Sequence, residues 1–225
     1  MSRPDLAIII PAYNEEMTIA AVVREARVHG IVVVVDDGSA DATAAQAASV
    51  GAQVVSLPAN QGYEGALSAG FAHAVTNGFR YAVTLDADGQ LPAADVPLFV
   101  AELDGGRDLV VGIRARRPRK AETLFAAVTR LTVGMNDPLC GMKAYRLAAV
   151  ATIGPFDTRR LVGSEMAIRM IMRGKAMAQR SVEVQDRLDA SRYGVSFKGE
   201  WKILQSIGRA VGVMRDERRM RGAGR

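Results

Sequence analysis

Unbroken hydrophobic runs alternate with spaced hydrophobic sets through the first half of the chain. Leu6 to Ile10 and Ile31 to Val35 are apolar throughout, and Ala52 to Leu57 and Tyr81 to Leu85 are largely so. Runs of this length that do not alternate with polar residues are the mark of strands buried on both faces. Between them the spacing changes to that of helices. Glu15 to Arg27 sets Ile19, Val22, Val23 and Ala26 on one face, Asp41 to Val50 is rich in alanine, and Gly65 to Asn77 follows the third run. Strands alternating with helices predict a largely parallel sheet with right-handed crossovers, an α/β fold.

The second half is less regular. The pattern predicts a helix over Pro92–Leu103, a strand over Asp108–Gly112, a helix over Thr123–Val133 and a turn over Asp137–Gly141. A helix over Gly163–Arg173, a strand over Arg180–Gln185 and a loop over Ser191–Phe197 follow. Trp201, Leu204, Ile207, Val211 and Met214 then recur at helical spacing. The expected organisation is one domain over residues 1–200 and an amphipathic, basic helical tail over 201–225.

Charge sharpens this division. The 225 residues carry a net charge of +5. From Lys198 onward there are eight Lys or Arg against three acids, so the tail carries all of that excess. The basicity therefore says little about nucleic acid, and no aromatic-interleaved basic surface supports such a partner. The tail stripe fits two readings, packing on the core or lying on an anionic membrane. Cys140 is the single cysteine, which excludes a disulfide scaffold and suits a reducing compartment. No run reaches the ~18 apolar residues that a spanning helix needs. The start of the chain has no signal-peptide layout. A cytoplasmic protein is expected, peripheral to the membrane face at most.

In parallel sheets ligands bind outside the carboxyl ends of the strands. Three polar clusters fall at such ends: Tyr13-Asn14-Glu15, Asp36-Asp37-Gly38-Ser39 and Asp86-Ala87-Asp88. Asp86 and Asp88, turned together past a strand end, make a hard-oxygen site for Mg2+ or Mn2+, to which Gln90 could add an amide oxygen. A short acidic motif of this kind also closes ordinary surface turns. Ser39 or Asp41 could simply cap a helix. Asp36 and Asp37 repel each other unless donors such as a ribose or a base edge meet them. Tyr13 and Glu15 suit a flat base, the ring packing on it and the carboxylate accepting from its N–H groups, although Asn14 could also be a plain N-cap. Arg114, Arg116, Arg117, Arg119 and Lys120 form a basic loop, either a solvated charge run or a phosphate-binding element. Cys140 has no histidine nearby to activate it and reads as a buried spectator.

Taken in order, these segments resemble inverting glycosyltransferases of family two with the GT-A fold, and among them the polyprenyl-phosphate sugar synthases of the dolichyl-phosphate mannosyltransferase type. The likeness rests on Ile8 to Glu16, Val34 to Asp41 and Asp86 to Pro92. Val111 to Arg114, Asp137 to Arg146 and Ser191 to Ser196 extend it. The resemblance implies a Rossmann-like GT-A sheet flanked by helices. It also implies transfer of a mannose- or glucose-type sugar from a GDP- or UDP-linked donor to a polyprenyl phosphate. Pro11, Tyr13, Glu15 and Asp37 would hold the nucleoside. Asp86, Asp88 and Gln90 would hold the divalent cation and the diphosphate. Arg114 and Arg119 would meet phosphates, and Arg192 would bind the acceptor phosphate. Arg114 would also stabilise charge on the leaving diphosphate, and Asp137 is the candidate base for a hydroxyl acceptor. The competing readings are the same fold acting on a soluble hydroxyl acceptor, a secondary metabolite or saccharide, and a non-catalytic nucleotide-sugar-binding protein. The lipid reading calls for peripheral contact with a membrane or a membrane-protein partner.

Overall fold

In a computed structural model, residues 3–115, 119–156, 158–185 and 197–223 are described. The buried runs become a seven-stranded sheet. Its strands are β1 (Arg3–Ala12), β2 (Gly30–Asp36), β3 (Gln53–Ser56), β4 (Tyr81–Thr84), β5 (Leu109–Arg114), β6 (Lys143–Arg146) and β7 (Met177–Val182). They lie in the order β3-β2-β1-β4-β6-β5-β7. All run parallel except β6, which is antiparallel to both β4 and β5.

Alternate residues of the central strands face opposite cores. Ala7, Ile9, Val33 and Val35 face one hydrophobic cluster, with side chains from α3 (Gly62–Thr76), α5 (Lys120–Val133), α6 (Leu147–Ala151), α7 (Glu165–Met172) and α8 (Phe197–Ala223). Leu6, Ile8, Ile10, Val32 and Val34 face the other, with α1 (Ile19–Ala26), α2 (Thr43–Ser49) and α4 (Val96–Asp104). The result is a sheet between two helical layers, each closed by apolar burial.

The second half departs from the pattern-based expectation in two strands and in the added short helix α6. The segment Lys143–Arg146 is a strand, one that its charged ends disguise. The last strand lies at Met177–Val182, upstream of the expected Arg180–Gln185, on the sheet edge where only β5 pairs with it.

The C-terminal helix also differs from the expected stripe. Ile203, Ser206, Ala210, Val213, Met214 and Glu217 are its buried residues, whereas Trp201 and Leu204 are exposed. Glu217 is gripped by Arg169 at 3.1 Å and Arg173 at 2.8 Å, both from the α7 segment. This helix is thus packed into one of the two cores. No helix among the described residues is long and apolar enough to cross a membrane.

Strand pairing also shapes the site. β1 stays paired with β2 as far as Ala12–Asp36, but its pairing with β4 stops at Ile9–Thr84. Beyond that point the two strands part. Connections leave β1 toward β2 on one side, while β4 lies on the other, so this fork is the topological switch point, where sheets of this kind bind ligands.

Candidate active site

Asp86 and Asp88 follow β4 directly and sit at the fork. Asp88 is buried, and its Oδ1 accepts the Gln90 backbone N–H at 3.0 Å. Asp86 lies against the Asp137–Gly141 turn so closely that a Cβ built on Gly141 would overlap its carboxylate. That turn is fixed from below: Thr84 Oγ1 donates to the Gly141 carbonyl at 2.6 Å, and the buried Lys143 Nζ donates to the Cys140 carbonyl. From the α3 side the Tyr63 hydroxyl donates to Asp86 Oδ1 at 3.1 Å. Burial, and next the charge of Asp88, push the Asp86 carboxyl above its usual range. A divalent cation would relieve both effects, and carboxylate oxygens are the donors Mg2+ and Mn2+ prefer, so the pair fits such an ion. Gln90 joins the site through its backbone, with its carbonyl accepting from the Gln185 N–H.

The second acidic cluster is closed by cations. Arg114 ends β5 and makes a two-pronged contact with Asp137, Nε to Oδ2 at 2.8 Å and Nη2 to Oδ1 at 3.0 Å. Its backbone N–H adds a third bond to Asp137, and Nη2 also reaches Glu122 at 3.0 Å. Burial works against the charge on Asp137, but the Arg114 guanidinium outweighs it and holds the carboxyl below its usual range. Two expected site residues thus meet each other. Asp137 has both oxygens in bonds to Arg114 and is held ionised, which lowers its basicity. Arg114 directs Nε and Nη2 to Asp137 and Glu122. Arg119 Nη1 points to the same Glu122, at 3.4 Å. Arg116, Arg117 and Arg192 lie outside the described residues.

Asp36 and Asp37 find their donors within the chain. Asp36 Oδ1 accepts from the Ser39 N–H at 3.2 Å. Asp37 accepts from the Gln61 and Gly62 N–H groups at 2.7 and 2.8 Å, capping the start of α3. The donors that meet Asp37 in the chain itself are thus backbone amides. Pro11 lies beyond the last β1–β4 pair and opposite Val35 of β2. Tyr13 stands at the strand end with an exposed ring. Asn14 (φ 52°) ties this loop to the next one: its N–H donates to Ser39 Oγ, and its side-chain oxygen accepts from the Ala40 N–H. The Glu15 N–H donates to Thr43 Oγ1 at 2.7 Å. The three clusters therefore form one continuous rim.

Sequence reasoning missed Tyr63, Glu122, Gly141 and Lys143. Only Gly141 and Lys143 lay in a segment already singled out. Cys140 is fully buried, and burial raises its thiol to about 11, in keeping with a spectator. A shallow cavity of about 190 Å³ lies at the opposite ends of the strands, beside Arg3, Leu6 and Asp104, away from this rim.

Comparison with known proteins places the chain in a family. An uncharacterised glycosyltransferase of Mycobacterium bovis is 33% identical over 217 residues, covering 92% of this chain and 93% of its own. An undecaprenyl-phosphate 4-deoxy-4-formamido-L-arabinose transferase of Edwardsiella ictaluri is 30% identical over 220 residues, covering 88% of this chain and 64% of its own. Glucosyl-3-phosphoglycerate synthase from Mycobacterium tuberculosis, solved with Mn2+, uridine diphosphate and glucosyl-3-phosphoglycerate, aligns with a TM-score of 0.75 at 25% identity. That alignment covers 92% of this chain and 80% of that one. The α/β sheet with its flanking helices is the GT-A fold. The family model for glycosyl transferase family 2 matches residues 7–135. This chain belongs to glycosyl transferase family 2.

Proposed function

We propose that this chain moves a sugar, of mannose or glucose type, from a GDP- or UDP-linked donor to a polyprenyl phosphate, inverting the anomeric centre. The observation that carries this reading is the Asp86–Asp88 pair at the fork between β1 and β4. Asp86 and Asp88 would hold Mg2+ or Mn2+ beside the donor diphosphate. When bound, that ion supplies positive charge that stabilises the departing nucleoside diphosphate. Tyr13 would pack on the base and Glu15 accept from it, with Pro11 shaping the end of β1. Asp37 would serve the nucleoside indirectly, by fixing the first turn of α3 next to it. Arg119 and Arg192 would meet the acceptor phosphate. Arg114 and Asp137 would keep the wall of the site rigid as a pair. A lipid phosphate is already ionised near neutral pH, so this acceptor needs orientation rather than a base, in accord with Asp137 being occupied.

The acceptor assignment draws on the undecaprenyl-phosphate transferase relatives. It also draws on the exposed Leu124 and Leu131 of α5 and Trp201 and Leu204 of the neighbouring α8. Beside Lys120 and Lys202 these side chains could rest on an anionic membrane or a membrane-protein partner. A soluble acceptor is the second reading. It is favoured by the lack of a spanning helix among the described residues and by the phosphoglyceric acid named with the related synthase structures. The deciding measurement is release of nucleoside diphosphate from GDP- and UDP-sugars with Mn2+ or Mg2+, with and without a short polyprenyl phosphate. Release requiring both lipid and metal, and reduced at least ~100-fold in Asp88→Ala, is the expected result. Release with phosphoglycerate but not with lipid would move the assignment to the second reading.

A further inference from the structure

We infer that Tyr63 is a positioning residue for Asp86, setting the orientation in which that carboxylate takes a divalent cation. The inference rests on the cation site proposed above and goes beyond it.

Asp86 lies in a slot with two walls. On one side Gly141 presents bare backbone, and any Cβ there would displace the carboxylate. On the other side the Tyr63 hydroxyl donates to Oδ1. A hydrogen bond of this kind orients a ligand only if its donor is itself held. Tyr63 lies close against Gly163, where an added Cβ would stand 3.0 Å from ring atom Cε1. Gly163 adopts φ 68°, at the end of a segment in which Arg160 and Val162 also take left-handed backbone, at φ 55° and 53°. For a β-branched residue that conformation is strained and persists only where neighbours enforce it. The enforcing contact comes from the residue next to Tyr63, because Glu64 Oε1 accepts the Val162 N–H at 2.8 Å. One latch therefore secures both the strained segment and the ring. A tyrosine merely filling core space has no need of a hydroxyl directed at the carboxylate, nor of a glycine behind it.

The test is Mn2+ affinity, read by the electron paramagnetic resonance of free Mn2+ during titration of the full chain, alone and with UDP or GDP. Tyr63→Phe removes the hydroxyl and keeps the ring against Gly163. Its Mn2+ Kd should rise at least ~10-fold, the usual scale for groups that orient metal ligands. Its thermal midpoint should stay near that of the parent. In turnover assays the effect should fall on KM for the metal, with kcat largely recovered at saturating Mn2+. Gly141→Ala, which pushes Asp86 from the opposite wall, should weaken Mn2+ in the same direction. If Tyr63→Phe folds poorly, Gly163→Ala, which crowds the ring at Cε1, should weaken Mn2+ likewise, and an unchanged Kd there overturns the inference. A Tyr63→Phe protein with Kd within twofold of the parent, or tighter, overturns the inference and leaves the cation site standing. A parent that binds no Mn2+ under any of these conditions removes the cation site and the inference together.

Discussion

Two acidic clusters share one rim, and the chain treats them in opposite ways. At the end of β5, Asp137 and Glu122 are answered by Arg114, which meets both within 3.0 Å. At the end of β4, Asp86 has Asp88 beside it and a neutral phenol as its hydrogen-bond donor. Each aspartate is desolvated, yet their carboxyls move in opposite directions, up for Asp86 and down for Asp137. Burial is common to both, so the contrast is set by the neighbours: the Arg114 guanidinium outweighs desolvation at Asp137, whereas at Asp86 the charge of Asp88 adds to desolvation, and the Tyr63 bond with the charges of Lys143 and Arg114 does not offset the two. The difference teaches that the first cluster is finished within the chain. The second keeps a buried carboxyl raised by desolvation and by its acidic neighbour, and the cation of the proposed function would relieve both.

The largest effects test this division directly. Asp86→Asn should cut sugar transfer at least ~100-fold while leaving the unfolding free energy equal to or above that of the parent, because a repelled buried charge is removed. Asp137→Ala should instead cost about 3 kcal/mol in denaturant unfolding, since it strands the Arg114 guanidinium in a largely buried place. Equal losses of stability in the two variants would break the comparison.

A pH series sharpens it. The carboxyl of Asp137 is lowered in the fold, so its stabilising contribution is present above the ordinary carboxylate range and is lost as pH falls through the lowered value. That of Asp86 is raised, so its favourable contribution is present below the ordinary range and is lost as pH rises through the raised value. Relative to the parent, Asp137→Asn should therefore be less stable and Asp86→Asn more stable near pH 7. Both differences should shrink as the pH is taken below ~4. Urea midpoints from pH 3 to pH 8 measure this, and two differences of the same sign at neutral pH would contradict the opposed environments.

How much of this was legible depended on how local each cause is. The strands β1, β2 and β4 declare themselves because burial on both faces leaves no polar residue in the run. The strand over Lys143–Arg146 does not, since its first residue is a lysine buried beside the site and its last an arginine. Helix α1 begins later than the spacing suggests: Asn14 takes left-handed backbone, φ 52°, and a turn closed on the Glu15 carbonyl precedes Ile19, with Asn14, Glu15 and Glu16 tied to Ser39, Thr43 and Asp41. The place of Asp86 and Asp88 follows from their following a buried strand. The fates of Asp37 and Asp137 do not follow in that way, because their partners are more than twenty positions away in the chain. Periodicity shows which residues reach the rim, and only the fold shows which of them are already spoken for.

The smallest expected effect extends the same contrast to apolar groups. Helical spacing places Trp201, Leu204, Ile207, Val211 and Met214 on one stripe, yet the structure splits it. Met214 is 4% exposed within the core, and Trp201 is 60% exposed. The packed face turns instead through Ile203, Ala210 and Val213, with Glu217 clasped by Arg169 and Arg173 at its far end. Met214 is thus packed internally, whereas Trp201 is left outward. Trp201→Ser should accordingly change the unfolding free energy by no more than about 0.5 kcal/mol, the usual scale for a surface site. Its cost should appear in co-sedimentation with vesicles containing anionic lipid, where loss of an interfacial indole beside Lys202 should weaken binding several-fold. A loss of more than ~1 kcal/mol in stability with vesicle binding unchanged would place Trp201 with the packing residues and confine the outward-facing group to the carboxylates of the rim.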